Sequence, residues 1–226
     1  MKVYQSKLYF IVMGGIGNQL FQFANAFSLG KKNNLEIYPE KNFAFISNLK
    51  FKRKFKLNRI INILKNINIF TQLKIILFFI FRKIKIKTNF NFISEKNHKQ
   101  FLPIDNVSSA KDNIVLGYWQ SERYFSDYTD EIVKQINLPE KGSKPFNDLL
   151  SLIKVSNSVA LCIRIYEELP GDKSFVGGEE NIEFYNNSIK QVMKYNPDAV
   201  FFVFSQKNYP ILEKLKINNA VYFITE

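Results

Sequence analysis

The hydrophobic pattern of this chain changes period several times. Leu8 to Met13 is an uninterrupted apolar run, the signature of a strand buried on both faces. Three glycines (Gly14, Gly15, Gly17) break it, and residues 20–31 then repeat at helical spacing, ending near Gly30. Leu35 to Tyr38 predicts a second strand, stopped by Pro39. Apolar residues in the segment 50–87 recur at mixed three- and four-residue spacing, which predicts helix in pieces. Asn89 to Asn113 is polar and reads as loop. Ile114 to Trp119 reads as a short strand, and Tyr124 to Ile136 as helix. The stretch from Pro139 to Pro145, with Gly142 inside it, is the best linker in the chain.

Beyond the linker the pattern restarts. Ser158 to Ile165 predicts a doubly buried strand, and Ile182 to Tyr195 a helix. Ala199 to Phe204 is a second strand, Tyr209 to Leu215 a short helix, and Ala220 to Ile224 a third strand. Strand and helix alternate on both sides of the linker, which implies an α/β protein in two halves. The expected division is residues 1–140, a linker at 141–150, and residues 151–226, with the second half ending on a strand. No internal repeat is visible.

The turn at Gly14–Gln19 is the first candidate for chemistry. A strand, a glycine turn and a helix in this order put a helix N-terminus where a phosphate binds. The ordinary dinucleotide fingerprint needs a third small residue at position 20, which is Leu20. Two amides, Asn18 and Gln19, stand at the tip instead and suit a sugar or a phosphate. Gly14, Gly15, Gly17, Asn18 and Gln19 are therefore expected to bind substrate. Arg164 closes an apolar strand, at the sheet end where ligands bind in α/β folds, and suits a diphosphate. Glu167 and Glu168 follow it, and either is a candidate base for an acceptor hydroxyl; the plainer alternative is a solvated loop charge. Ser205, ending the next strand, is expected to contact the nucleotide or to cap a turn.

Metal chemistry is not expected. His98 is the only histidine, Cys162 reads as a small core residue inside a strand, and no Asp-x-Asp pair is present. A single cysteine excludes an internal disulfide and points to a reducing, cytoplasmic setting. The longest apolar run, Ile75 to Phe81, is far short of a membrane span. The 226 residues carry a net charge of +12, but between Lys41 and Ser94 there are 13 Lys and Arg and no Asp or Glu. The basic character is local. Interleaved with Ile, Leu and Phe, it suits an anionic membrane surface at the inner face better than a nucleic acid. Lys outnumbers Arg 27 to 5, so A/T-rich codons supplying lysines to a solvated face remain the alternative.

Residues 14–24 (GGIGNQLFQFA) resemble the N-terminal signature of the bacterial α-1,2-fucosyltransferases, glycosyltransferase family 11. Residues 117–125 (GYWQSERYF) look like a second block of that family, and residues 200–205 (VFFVFS) like the strand before its donor site. The resemblance implies a GT-B-type fold of two Rossmann-like domains, with residues 151–226 binding the donor nucleotide. It implies GDP-fucose as donor, no metal, and inversion at the sugar carbon. The acceptor is then a galactoside glycan, free or lipid-linked, in surface polysaccharide or O-antigen synthesis. Two departures stand out. The family's arginine-rich motif is reduced to Arg164 in residues 162–168, and a tryptophan-containing C-terminal block is missing. The second domain is accordingly expected to be incomplete. The alternatives are a truncated, inactive remnant that binds nucleotide or a membrane surface, and an NAD-type enzyme with Glu36 on the ribose, which Leu20 argues against.

Overall fold

Seven strands form two sheets among the described residues, and every pairing between them is parallel. The structure is a computed structural model; it describes residues 5–42, 54–83, 88–98, 100–137, 142–163, 182–205 and 208–225. The chain divides into two compact units, Met1–Leu138 and Pro139–Glu226.

The first unit holds β1 (Lys7–Ile11), β2 (Glu36–Glu40), β3 (Phe90–Ser94) and β4 (Asp112–Leu116), in the order β2-β1-β4-β3. Helix α1 (Ile16–Asn33) follows β1, helix α2 (Ile69–Lys83) precedes β3, and the short α3 (Thr129–Gln135) closes the unit. Strand periodicity explains the layers. Leu8, Phe10 and Val12 join a core with Phe23, Phe27, Leu57 and Val115, on the face that α1 covers. Tyr9 and Ile11 point the other way, into a core with Ile75, Phe78, Phe79 and Ile114, where α2 packs. Both faces are covered, so β1 reads as a continuous apolar run. Helix α1 ends in a left-handed Asn34 at φ 53°, whose amide bonds the carbonyls of Gly30 and Lys31.

The second unit holds β5 (Ser158–Cys162), β6 (Val200–Ser205) and β7 (Val221–Thr225), with β6 central. Helix α4 (Lys144–Val155) precedes β5, and helix α5 (Ile182–Tyr195) precedes β6. Ser143 caps α4 by accepting from the Phe146 amide, with Pro145 in the first turn. Val159, Leu161, Phe201, Val203 and Val221 share one face and pack with Ile189, Ile211 and Leu212.

Several expectations need correction. Pro39 does not stop β2; it lies inside this edge strand, where a missing amide is tolerated. The stretch expected as loop from residue 89 contains β3. Residues 144–150, expected in a linker, begin helix α4. Strand β5 is not doubly buried: it is an edge strand whose residues alternate exposed and half-buried. Cys162, for the same reason, is exposed rather than a core residue. The helix expected at 124–136 is two short 3-10 turns followed by α3. Between residues 54 and 83 the helical pieces are a 3-10 turn at Leu57–Arg59 and α2.

Candidate functional site

β1 and β4 are the two central strands of the order β2-β1-β4-β3, so their carboxyl ends lie side by side, and the segments that follow them pack into one core on the same face of the sheet. Ligands of open α/β sheets bind outside the carboxyl ends of the strands. Two turns meet there. One is the glycine turn after β1; the other is residues 117–121 after β4. A hydrogen bond of 2.6 Å, donated by Gln120 Nε2 to Asn18 Oδ1, joins them.

The first turn is built by its own side chains. Gly14 has φ of +77°, and a Cβ there would sit 2.5 Å from Asn18 Nδ2, so only glycine fits. Gln22 accepts from the Met13 amide and donates back to its carbonyl, at 3.0 and 3.2 Å. Gln19 is fully buried. Its Nε2 donates to the carbonyls of Gly14 and Lys54, and its Oε1 accepts from the Lys56 amide, at 3.0, 2.8 and 2.9 Å. Gln19 thus has no donor left for a ligand; it fixes the loop and ties it to the chain 35 residues on. Asn18 and the backbone are what the turn presents.

Gly15 and Gly17 differ from Gly14. A Cβ at either would meet nothing within 4 Å. Internal packing does not demand glycine there, and the space is open at the start of α1. Gly15 is the N-cap, no side chain caps the helix, and its first turn holds no acidic residue. The positive end of an 18-residue helix therefore faces that space with no carboxylate from its own first turn.

The second turn is held by Glu95, which follows β3. Its two carboxylate oxygens accept from the amides of Tyr118 and Trp119, at 2.8 and 3.1 Å. A Cβ on Gly117 would lie 2.5 Å from that of Glu95, and Trp119 adopts φ of 55°. Trp119 is buried, with its ring edge-on to Tyr124 at 5.2 Å. Beside it lies a cavity of about 500 Å³ whose lining includes Ser94, Glu95, Asn97, Asp105, Trp119 and Tyr124. Carboxylates, amides and aromatic rings together suit a polyhydroxy ligand. The sequence did not single out Glu95 or Asp105. Their only signal was position: Glu95 is the first acid after the basic segment, and its partners belong to the 117–125 block. Arg123 stacks its guanidinium on Phe101 at 4.2 Å.

In the second unit Ser205 ends β6, paired with Thr225 of β7. Its Oγ is buried and has no hydrogen-bond partner among the described residues. Arg164, Glu167 and Glu168 lie outside the described residues. Among those described, no group of three or more His, Cys, Asp or Glu could hold a metal ion, and no helix is long and apolar enough to cross a membrane.

Two parallel sheets with helices, and a glycine turn after the central strand of the first, define an α/β fold. The chain is a distant homologue of an alpha-1,2-colitosyltransferase. It is 25% identical over 198 residues to the alpha-1,2-colitosyltransferase of Escherichia coli, covering 85% of this chain and 66% of that protein. Its fold matches a mutant of Arabidopsis thaliana FUT1 solved in complex with GDP, with a TM-score of 0.52 at 8% identity. That match covers all of this chain and 60% of the plant protein. The chain thus spans about two-thirds or less of the length of these relatives. No family model matches it.

Proposed function

We propose that this protein is a GT-B-type glycosyltransferase that moves fucose from GDP-fucose to a hydroxyl of a galactoside glycan, with inversion. One observation carries the reading. The Gly14–Gln19 turn leaves open space over Gly15 and Gly17, at an uncapped helix N-terminus beyond the carboxyl end of the central strand β1. The relation to α-1,2-colitosyl- and fucosyltransferases supplies the reaction class.

The chemistry is a displacement at the anomeric carbon. A carboxylate, Glu167 or Glu168, takes the proton from the acceptor hydroxyl as its oxygen attacks. Positive charge develops on the sugar ring, as in glycoside hydrolysis, while the bond to the diphosphate breaks. Arg164 neutralises the departing GDP in bidentate fashion, and Ser205 lies on the donor side. The Gly14–Asn18 turn contributes amide donors and the end of α1 to the negatively charged or hydroxyl-rich part of the substrates. The cavity beside Trp119 takes part of the acceptor.

The relative named as a colitosyltransferase favours a second donor reading, in which colitose replaces fucose. Calorimetry with GDP, GDP-fucose, GDP-colitose and NADH separates these. Binding of GDP and one GDP-sugar, with none to NADH, is expected. NADH binding without GDP binding overturns the reading. Arg164→Ala is expected to weaken GDP binding far more than Arg123→Ala, whose side chain rests on Phe101.

A further inference from the structure

Helix α2 carries a hydrophobic face that points away from its own core. Ile75, Phe78 and Phe79 turn inward onto the sheet. On the opposite side Ile69, Phe70, Leu73, Leu77 and Ile80 are 44 to 75% exposed. From Phe70 the row runs through Leu73, Leu77 and Ile80, at steps of three, four and three residues, so it forms one continuous stripe. A helix packed on a sheet and facing water carries polar side chains there. Single exposed apolar residues are ordinary; five in one row mark a contact surface.

The charge around the stripe selects the partner. Lys74, on its flank, is exposed, whereas Arg82 lies on the sheet-facing side of the helix and stacks on Phe92 at 4.1 Å. The surrounding sequence, residues 41–94, has 13 basic residues and no acidic one. A second copy of the chain would bring two such basic segments together, which like-charge repulsion opposes. An apolar stripe inside a basic, acid-free segment fits a surface that is negative outside and apolar beneath. With 15 residues, α2 is too short to cross a bilayer, which takes about 20, and suits lying in its plane.

We infer that α2 docks onto an anionic lipid bilayer, with the Phe70–Ile80 stripe among the upper acyl chains and Lys74, on its flank, at the headgroup phosphates. The surface is separate from the glycine turn, so it stands or falls independently of the donor reading.

Sedimentation of the full chain with vesicles tests this. One set is phosphatidylcholine alone, the other contains phosphatidylglycerol. Binding is expected to be about tenfold tighter to the anionic vesicles and to weaken with salt. Leu73→Ser with Leu77→Ser is expected to abolish it, with an unchanged circular dichroism spectrum, because both side chains are exposed. Lys74→Glu, a single surface change, is expected to weaken it about fivefold or more. Equal binding to both vesicle types, binding to neither, or undiminished binding by the variants overturns the inference. So does a lipid-free dimer that the double variant dissolves, since the stripe would then belong to a second copy. GDP calorimetry on the same samples is expected to be unaffected, so the two readings fail separately.

Discussion

The two sheets of this protein are built from the same kind of strand and end up in different environments. In the first unit, β1 is buried along four of its five residues and β4 along its centre. Helices lie on both sides. In the second unit only the central β6 is buried: β5 alternates exposed and half-buried, and in β7 Tyr222 and Phe223 are 40 and 50% exposed. Helix α4 buries no residue fully, and α5 buries Ile189 alone. Phe202, at 1% exposure, stacks on Tyr222 at 5.3 Å. An apolar strand sequence thus states what a strand could bury, while its place in the sheet and the layers over it decide what it does bury.

The largest test of that contrast is a pair of truncations. Phe10→Ala, at 1% exposure in β1, is expected to cost about 3–5 kcal/mol. Phe223→Ala, in β7, is expected to cost about 1 kcal/mol or less, because half of its ring is already in water. Urea unfolding followed by far-ultraviolet circular dichroism measures both. Equal costs would mean that β7 is as well covered as β1, and the contrast would fail.

Gln19→Leu comes next. It removes three internal hydrogen bonds and leaves two carbonyls and an amide to find other partners, for an expected loss of about 2–3 kcal/mol. Trp119 fluorescence follows the transition in the first unit. A neutral result would show that the Lys54–Lys56 chain is not anchored through Gln19.

Two glycines sharpen the picture further. Gly14→Ala is expected to destabilise by about 1–2 kcal/mol, since its φ is positive and Asn18 fills the space. Gly17→Ala is expected to stabilise α1 by up to about 1 kcal/mol, because no atom opposes the new methyl. It is also expected to weaken GDP or GDP-sugar binding, if the open space is where a ligand sits. A Gly17→Ala variant that gains stability and keeps full affinity would remove the turn from the site.

The smallest effect concerns pH. Burial, then the hydrogen bond to Glu36, pushes the Tyr38 hydroxyl up to about 12 from 10. Its proton is held more tightly in the folded state. The associated stability is complete below pH 10 and is lost as pH rises toward about 12. Glu36 itself is held low, first by its hydrogen bond with Lys65 and then by that with Tyr38, so its contribution fades as pH falls below its ordinary value of 4.5. Tyr38→Phe is expected to flatten the alkaline limb, as read by thermal melts between pH 9 and 12. An unchanged limb would assign it to other groups.

Much of the fold was legible because it is local. The run from Leu8 and the helical spacing after Gly17 declare β1 and α1 without help from the rest of the chain. What was missed depends on partners far away in sequence. Strand β3 hid behind Asn89 and Asn91, which an edge strand accommodates; Asn91 bonds Asn113 across to β4 at 2.8 Å. Strand β5 looked doubly buried because Val159, Ala160, Leu161 and Cys162 are all apolar, yet one side of it is open. In the turn, Gly14 was readable from conformation alone. Gln19 looked like a ligand contact because nothing in the sequence points to Lys54 and Lys56 as its partners. Glu95 was invisible for the same reason, since it acts on backbone amides more than twenty residues later.

The exposure of Cys162 has a practical outcome. The chain has one cysteine and one tryptophan, and they fall in different units: Trp119 is buried beside the cavity, and Cys162 is exposed at the end of β5. A thiol-reactive acceptor dye on Cys162 makes Trp119 its natural fluorescent donor, with no engineered residue. Energy transfer between them is then a ruler across the two units, and its change on adding GDP or vesicles reports how they rearrange in solution.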